Sequence, residues 1–301
     1  MKKINLYWFK MVDSSTNYGD ELNNFIISQL STLKVRHIPY PYKWYYIPYK
    51  YLYALIFKSE YASLKGAIRS IFARKIVFGI GSILHKYNRK NVYVWGSGIG
   101  HMDWKIDNAN FTAVRGVYTQ NKIIDLGYKA PSIIGDPALL LPLLIPKSKK
   151  KYKFGIIPHY VQYDDVRNNY KNPKDSIIIN MKEDIHSVTD KISSCDFVIS
   201  SSLHGLIVAH SYNIPALWVS FNSNNKLAGD NIKFKDYFSS VGIEAYSPIY
   251  IQTLEPSFLD KIKNDNLNKL YINLDLRKIQ IELLKVAPFS LKEKFVNISY
   301  E

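Results

Sequence analysis

His204 stands in the run Ser200-Ser-Ser-Leu-His-Gly205, where an apolar stretch, Phe197 to Ile199, gives way to a helical pattern over Leu203 to Tyr212. A helix start offers free backbone amides and the positive end of a dipole, so an anion is favoured there. An imidazole can give or take a proton near neutral pH. A lone histidine is more often structural. Strand end, helix start, Gly205 and a row of hydroxyls coincide here, and together they point to chemistry. His159, in Ile157-Pro-His-Tyr160, follows the apolar run Phe154 to Ile157 and occupies an equivalent strand end. Arg115, in Ala113-Val-Arg-Gly116, ends another apolar run just before a helix. A guanidinium there binds a ligand's carboxylate or phosphate bidentately, or it serves a structural ion pair.

Three further segments place glycine or polar residues directly after an apolar run. Asn17-Tyr-Gly-Asp20 precedes a helix that Asp20 can cap, and Gly19 would let backbone amides approach an anion. Gly79-Ile-Gly-Ser82 contributes Gly81 and Ser82 as cleft residues, and Gly96-Ser-Gly-Ile-Gly100 contributes Gly96, Ser97 and Gly98. The latter has Gly-x-Gly-x-Gly spacing, not the dinucleotide-binding Gly-x-Gly-x-x-Gly, and no acidic residue follows at the right place, so a nicotinamide cofactor is disfavoured. There is no phosphate-binding Gly-x-x-x-x-Gly-Lys-Ser loop. No His-Glu-x-x-His, Cys-x-x-Cys or Asp-x-Asp pattern indicates a metal. His37, His85, His101, His186 and His210 lie in no comparable context.

The elements that must hold these loops read as alternating strand and helix. Ile4–Phe9, Ile76–Phe78, Val92–Trp95, Phe111–Val114 and Ser132–Ile134 are strand candidates in the first half. Helices are expected over Asp20–Leu30 and Val117–Leu126, the latter stopped by Gly127. Pro137, Pro142 and Pro146 and the run Lys147-Ser-Lys-Lys-Lys151 break the pattern, and a domain boundary is expected there, giving domains 1–146 and 147–301. The second half repeats the alternation: strands Phe154–Ile157, Ser176–Ile179, Phe197–Ile199 and Ala216–Val219, helices Ile185–Ser194 and Leu203–Tyr212. Alternation implies parallel sheets with right-handed crossovers. The expected α/β architecture is two Rossmann-like parallel-sheet domains facing each other across a cleft, with a helical C-terminal tail whose longest helix is Leu270–Val286. Ligands of such sheets sit beyond the carboxyl ends of the strands.

Composition narrows the partners. The formal net charge of the 301 residues is +15, which attracts anions. The lysines are scattered and no nucleic-acid signature accompanies them, so no nucleic acid is expected. One cysteine, Cys195, precludes an internal disulfide and reads as a small buried residue. No stretch reaches the roughly 18 apolar residues of a membrane span, and the N-terminal apolar run is too short for a signal peptide, so a cytoplasmic protein is expected. Residues 40–61 hold eight tyrosines, one tryptophan and three lysines. This insertion packs on its own domain or meets a membrane surface or a lipid-linked acceptor.

The segments, taken in order, resemble the polysaccharide pyruvyl transferase family. They are Asn17-Tyr-Gly-Asp20, Gly79-Ile-Gly-Ser82, Val92-Tyr-Val-Trp-Gly-Ser-Gly98, Val114-Arg-Gly116, Gly135-Asp-Pro-Ala138, Ile157-Pro-His159, Ser201-Ser-Leu-His-Gly-Leu-Ile207 and Lys233-Phe-Lys-Asp-Tyr237. The resemblance implies a fold like the GT-B glycosyltransferases, phosphoenolpyruvate as donor, no separate cofactor, and a sugar hydroxyl pair as acceptor. The product would be a cyclic pyruvate ketal on an exopolysaccharide, capsule or other cell-surface glycan. The acceptor could be an undecaprenyl-linked oligosaccharide met at the inner face of the membrane. The resemblance makes His204 the acid/base and Arg115 the catalytic cleft arginine, with Ser201, Ser202, Leu203 and Gly205 at the donor. Some members carry arginine where Ser202 stands, so the donor's cation must come from elsewhere: Lys226, Lys233 or His159. Many members have Val-Arg-Asp where this chain has Val-Arg-Gly116. Competing readings are a nucleotide-sugar glycosyltransferase of the same architecture and a non-catalytic glycan-binding protein. The former needs an acid for a ribose, and Glu183 is the one glutamate between 151 and 240.

Overall fold

The computed structural model describes residues 3–10, 17–38, 48, 49, 52, 56, 69–85, 91–223, 225 and 229–300. Most of the tyrosine-rich 40–61 insertion, and Lys226, lie outside the described residues, and with them the expectations placed there.

Two five-stranded parallel sheets organise the chain. The first has the order β2-β1-β3-β4-β5, from β1 (Ile4–Tyr7), β2 (Val35–His37), β3 (Ile76–Phe78), β4 (Val92–Trp95) and β5 (Asn110–Ala113). The second has the order β10-β9-β8-β6-β7, from β6 (Tyr152–Ile157), β7 (Ser176–Ile178), β8 (Cys195–Ser200), β9 (Ala216–Phe221) and β10 (Ile249–Ile251). Every pairing is parallel, with Asn5 opposite Ile76 in the first sheet and Phe154 opposite Phe197 in the second. These strands are short and apolar because helices cover both faces. In each sheet the chain order reverses at one place, between β1 and β3 and between β6 and β8. Such switch points open a crevice at the carboxyl ends of the strands.

Several expectations shift. Ser132–Ile134 is reduced to a single bridge, Val114 to Ile134, because only one residue reaches the edge of the sheet. The proline-rich stretch before residue 147 is not an open connection. Pro137–Leu143 is a 3-10 helix capped by Asp136, whose carboxylate accepts from the Ala138 amide, and Leu139, Leu140 and Leu141 are fully buried. Proline suits the first turn of such a helix, where its missing N–H is not needed. The apolar leucines then place it in the core shared by both halves.

The C-terminal tail is three separate helices, Pro256–Asn264, Leu276–Lys285 and Glu293–Ser299. The long helix expected over 270–286 starts late because Asp275 caps it, accepting from the amides of Arg277 and Lys278. The last two helices return to the first half: Trp95 Nε1 donates to the Leu283 carbonyl at 2.9 Å, and Trp95 packs edge-on against Phe289. Two three-residue strands, β2 and β10, form outer edges that no periodicity marked. The halves are also locked at the Tyr18–Leu30 helix. Tyr18 is fully buried, its amide donates to the Met181 carbonyl and its hydroxyl meets Thr189 Oγ1 at 2.8 Å. No helix among the described residues is long and apolar enough to cross a membrane.

Candidate active site

A cleft of about 510 Å³ lies where the carboxyl ends of the two sheets meet. Its walls come from the carboxyl ends of the switch-point strands and the residues just beyond: Tyr7 ending β1 and Gly81 after β3 from the first sheet, His159 after β6 and Ser202 after β8 from the second. Lys233 enters from the Ile232–Val241 helix and Asp20 from the Tyr18–Leu30 helix. The strand-end residues Asn17, Asp20, Gly81, Ser82, His159, Ser202, Leu203 and His204 therefore converge on one volume, and Lys233, a candidate through the family resemblance, joins them.

His204 lies in the first turn of the Leu203–Ser211 helix, and its Nε2 is shielded from water with no hydrogen-bond partner. His159 Nδ1 is in the same condition. Burial pushes the His204 imidazole down to about 3, helped by the positive charges of Arg115 and Lys233 and by His159. His159 is lowered to about 4 by burial and by Lys233. Both rings are thus neutral at neutral pH, each with an unsatisfied nitrogen. Leaving such an atom unpaired costs about 1–3 kcal/mol, which a ligand oxygen would relieve.

Gly19 owes its identity to His204. A Cβ on Gly19 would lie 2.1 Å from His204 Nδ1 and 2.8 Å from Cγ and Cε1. The missing side chain makes room for the ring rather than for an anion. Asp20 is not the helix cap: it sits inside the helix, and its Oδ2 accepts from Asn17 Nδ2 at 2.8 Å. That bond holds the carboxyl at the cleft. Burial raises it to about 7 against the lowering effect of Asn17 and Lys233. Lys233, opposite in charge, is lowered by burial and by Arg115 to about 8 and makes no ion pair with a described carboxylate. It is the cleft's ammonium group.

The three hydroxyls of the loop divide their work. Ser200 Oγ donates to main-chain carbonyls and accepts from the Ser202 amide. Ser201 Oγ donates to Gln162 and accepts from the His159 amide, so it ties the two histidine loops together. Neither hydroxyl reaches the cleft. Ser202, at the helix cap position, makes no side-chain capping bond and lines the cleft. Gly205 is a packing glycine: a Cβ there would meet Ser200 Oγ at 2.4 Å and Ile157 at 2.9 Å.

Arg115 does not point into the cleft. It is fully buried, with Nε donating to Asp236 Oδ2 at 3.0 Å, Nη1 to Ser82 Oγ at 2.7 Å and Nη2 to the Ile99 carbonyl at 2.6 Å. The ion-pair alternative accounts for this side chain, which bears on the cleft through its bond to Ser82 and through the effect of its charge on His204 and Lys233. Gly96, Ser97 and Gly98 likewise stand behind the wall. Ser97 Oγ donates to the Gly79 carbonyl, a Cβ on Gly98 would strike Arg115 Nη2 at 2.5 Å, and Gly96, at φ +92°, packs under Pro137. Gly116, where many resembling chains carry an acid, leaves space for the Asp236 carbonyl, which a Cβ would meet at 1.7 Å. Glu183 binds Lys191 and Ser187 and does not line the cleft. Among the described residues no group of His, Cys, Asp and Glu side chains is arranged to hold a metal.

Sequence reading missed the aromatic side of the cleft. Phe9, His85, His101, Trp104 and Tyr160 all line it. Phe9 and Tyr160 lie just past a strand, and His85 and His101 follow the glycine segments 79–82 and 96–100 on the same loops; that proximity was the available signal, and Trp104 had none.

Comparison with known proteins agrees with this architecture. Over 236 residues the chain is 36% identical to an uncharacterized protein, L143, of Acanthamoeba polyphaga mimivirus, covering 72% of this chain and 81% of that one. Over 203 residues it is 23% identical to the succinoglycan biosynthesis protein ExoV of Rhizobium meliloti (strain 1021), covering 60% of this chain and 58% of that protein. The polysaccharide pyruvyl transferase model matches residues 17–223, which run from the Asn17 side of the cleft through both histidine loops. That match spans more than half of the 301 residues, and the chain belongs to the polysaccharide pyruvyl transferase family.

Proposed function

We propose that this enzyme moves the pyruvyl group of phosphoenolpyruvate onto two hydroxyls of a glycan sugar and leaves a cyclic ketal. The observation that carries the reading is the grouping, in one cleft, of an unpaired ammonium, a free helix N-terminus, two neutral histidines and a carboxyl near 7. A small polyanion fits the first two, because fixed donors in a water-poor site stabilise charge strongly. Lys233 and the amides at Leu203 to Gly205 hold the donor, and Lys233 supplies the cation absent at Ser202.

The proton account assigns the rest. Asp20, near 7, is about half protonated at neutral pH, and its acid form gives a proton to the donor's methylene carbon, making C2 electrophilic. A sugar hydroxyl attacks C2 and passes its proton to neutral His204. The C2–O bond to phosphate breaks, the second hydroxyl closes the ketal, and its proton leaves with phosphate. His204 then returns its proton to Asp20. An anionic donor beside His204 offsets the positive neighbours that depress it, so the ring becomes a better base once the donor is bound. Incubating the chain with phosphoenolpyruvate and a glycan panel tests the reading: a pyruvyl mass gain must match the phosphate released. Phosphate release without glycan modification would refute it.

The pH dependence follows from the same groups. The acid form of Asp20 is the active one, so kcat/KM falls as pH rises through about 7. Lys233 loses its charge through about 8 and weakens donor binding further. Asp20→Asn should lower the rate and remove the step near 7 from the profile. A wild-type profile flat across neutrality would exclude Asp20 as the acid.

Gly19→Ala isolates the placement of the base. The added methyl must push the His204 ring aside, and a misplacement of about 1 Å can cost about a hundredfold in rate. The overpacking should cost about 1–3 kcal/mol of stability, far too little to unfold the chain or to account for the loss of rate. Unimpaired transfer would show that the ring tolerates the shift.

A further inference from the structure

The cleft has two sides of different chemistry. The donor-side groups described above come mainly from the second half of the chain. The first half contributes most of the aromatic lining: Tyr7, Phe9, His85, His101 and Trp104. The Trp104 ring lies against Gly100, where a Cβ would come within 2.7 Å of it, so the backbone forms the back of an indole shelf. His85 meets the indole edge-on, with centroids 5.2 Å apart at 89°, and His101 lies tilted beside it at 5.7 Å. All three line the cleft, as do Tyr7 and Phe9 from the end of β1. Trp104 is half-buried, and none of the cleft residues on the loops carrying these three rings is acidic.

The shelf is held from across the cleft. The Met102 amide, in the turn between His101 and Trp104, donates to Asp230 Oδ2 at 2.9 Å. The neighbouring Gly229, at φ +105°, sits against the Gly100 carbonyl. Asp230 also accepts from the amide of Ile232, the first residue of the helix that carries Lys233. One short segment thus fixes the aromatic loop and the donor-side ammonium together.

From this geometry, and resting on the transfer reaction proposed above, we propose that Trp104 is the stacking platform of the acceptor subsite. It takes a neutral hexopyranoside by the C–H face of the ring, with His85 and His101 hydrogen-bonding hydroxyls at the sugar's edge. An aromatic face pairs with an apolar C–H surface, while a few placed polar groups set orientation. Trp104 and His204 line the same cleft, so a sugar lying on the shelf shares one volume with the donor. The shelf's flat, uncharged character distinguishes it from the cationic donor end.

The test uses the intact chain and reads the two ligands separately. Thermal shift with phosphoenolpyruvate reports the donor site. Tryptophan fluorescence and saturation-transfer NMR with a panel of methyl hexopyranosides report the acceptor site. Trp104→Ala should weaken hexopyranoside binding, and raise the acceptor KM, by about tenfold while donor stabilisation is unchanged. Trp104→Phe should restore most of the loss, and His101→Ala should raise the acceptor KM with a smaller effect. If Trp104→Ala does not fold, Trp104→Leu, which keeps apolar bulk without an aromatic face, and His101→Ala carry the test. Unchanged acceptor binding in the alanine or leucine variant of Trp104, or no binding of any hexopyranoside by the wild type, overturns the proposal. Loss of donor stabilisation in the wild type alone would instead overturn the phosphoenolpyruvate reading and leave the sugar shelf standing.

Discussion

His204→Ala should reduce pyruvyl transfer by about 10²- to 10⁴-fold, the usual worth of a positioned acid or base, without lowering the melting temperature. The separation of the two effects is the point. Nε2 of His204 has no hydrogen-bond partner, so the fold loses no bond through it on truncation. Removing an imidazole held neutral by burial also removes no charge that another group needs. His204→Gln keeps polarity and approximate size but cannot accept a proton, so it should be nearly as inactive. Donor binding by thermal shift should survive in both variants, because the ammonium of Lys233 and the helix amides remain. Full turnover in the glutamine variant would remove His204 from the chemistry and leave it a binding residue.

The strand-end rule made most of the cleft legible. His204, His159 and Ser202 follow short apolar runs, and position along a parallel strand is a local property; Lys233 came from the family resemblance instead. What was not legible depended on partners distant in the chain. Nothing near Arg115 reveals that Asp236, 121 residues on, will pair with it. Nothing near Gly19 reveals that an imidazole from position 204 will occupy the space its side chain leaves. Both glycines were read as anion-binding or turn residues, when Gly19 and Gly205 serve close packing. The aromatic shelf went unseen for a related reason: Trp104 becomes a wall only because Gly100 and Asp230 hold its loop. Prolines mark the stretch before residue 147 without saying whether it is open chain or 3-10 helix, since proline suits both. The run Leu139 to Leu141, fully buried, is what makes it a core helix.

Arg115→Met should destabilise the fold by about 3–5 kcal/mol, the cost of stranding one member of a buried ion pair. Asp236 is itself fully buried and would keep only the Thr119 amide and hydroxyl as partners. Arg115→Lys should rescue little, because one ammonium cannot span Asp236, Ser82 and the Ile99 carbonyl as the planar guanidinium does. Asp236→Asn combined with Arg115→Met should recover part of the loss, since the uncompensated carboxylate is then gone, and the double-mutant cycle would give the coupling directly. A ligand-binding arginine behaves differently: its loss weakens donor affinity and leaves the melting temperature alone. The two outcomes are separable in one denaturation series run with and without phosphoenolpyruvate. An unchanged midpoint in the ligand-free variant would return Arg115 to the donor site. A large fall would fix it as the buried support of Ser82, with Gly98 and Gly116 as the clearances that let the ion pair form.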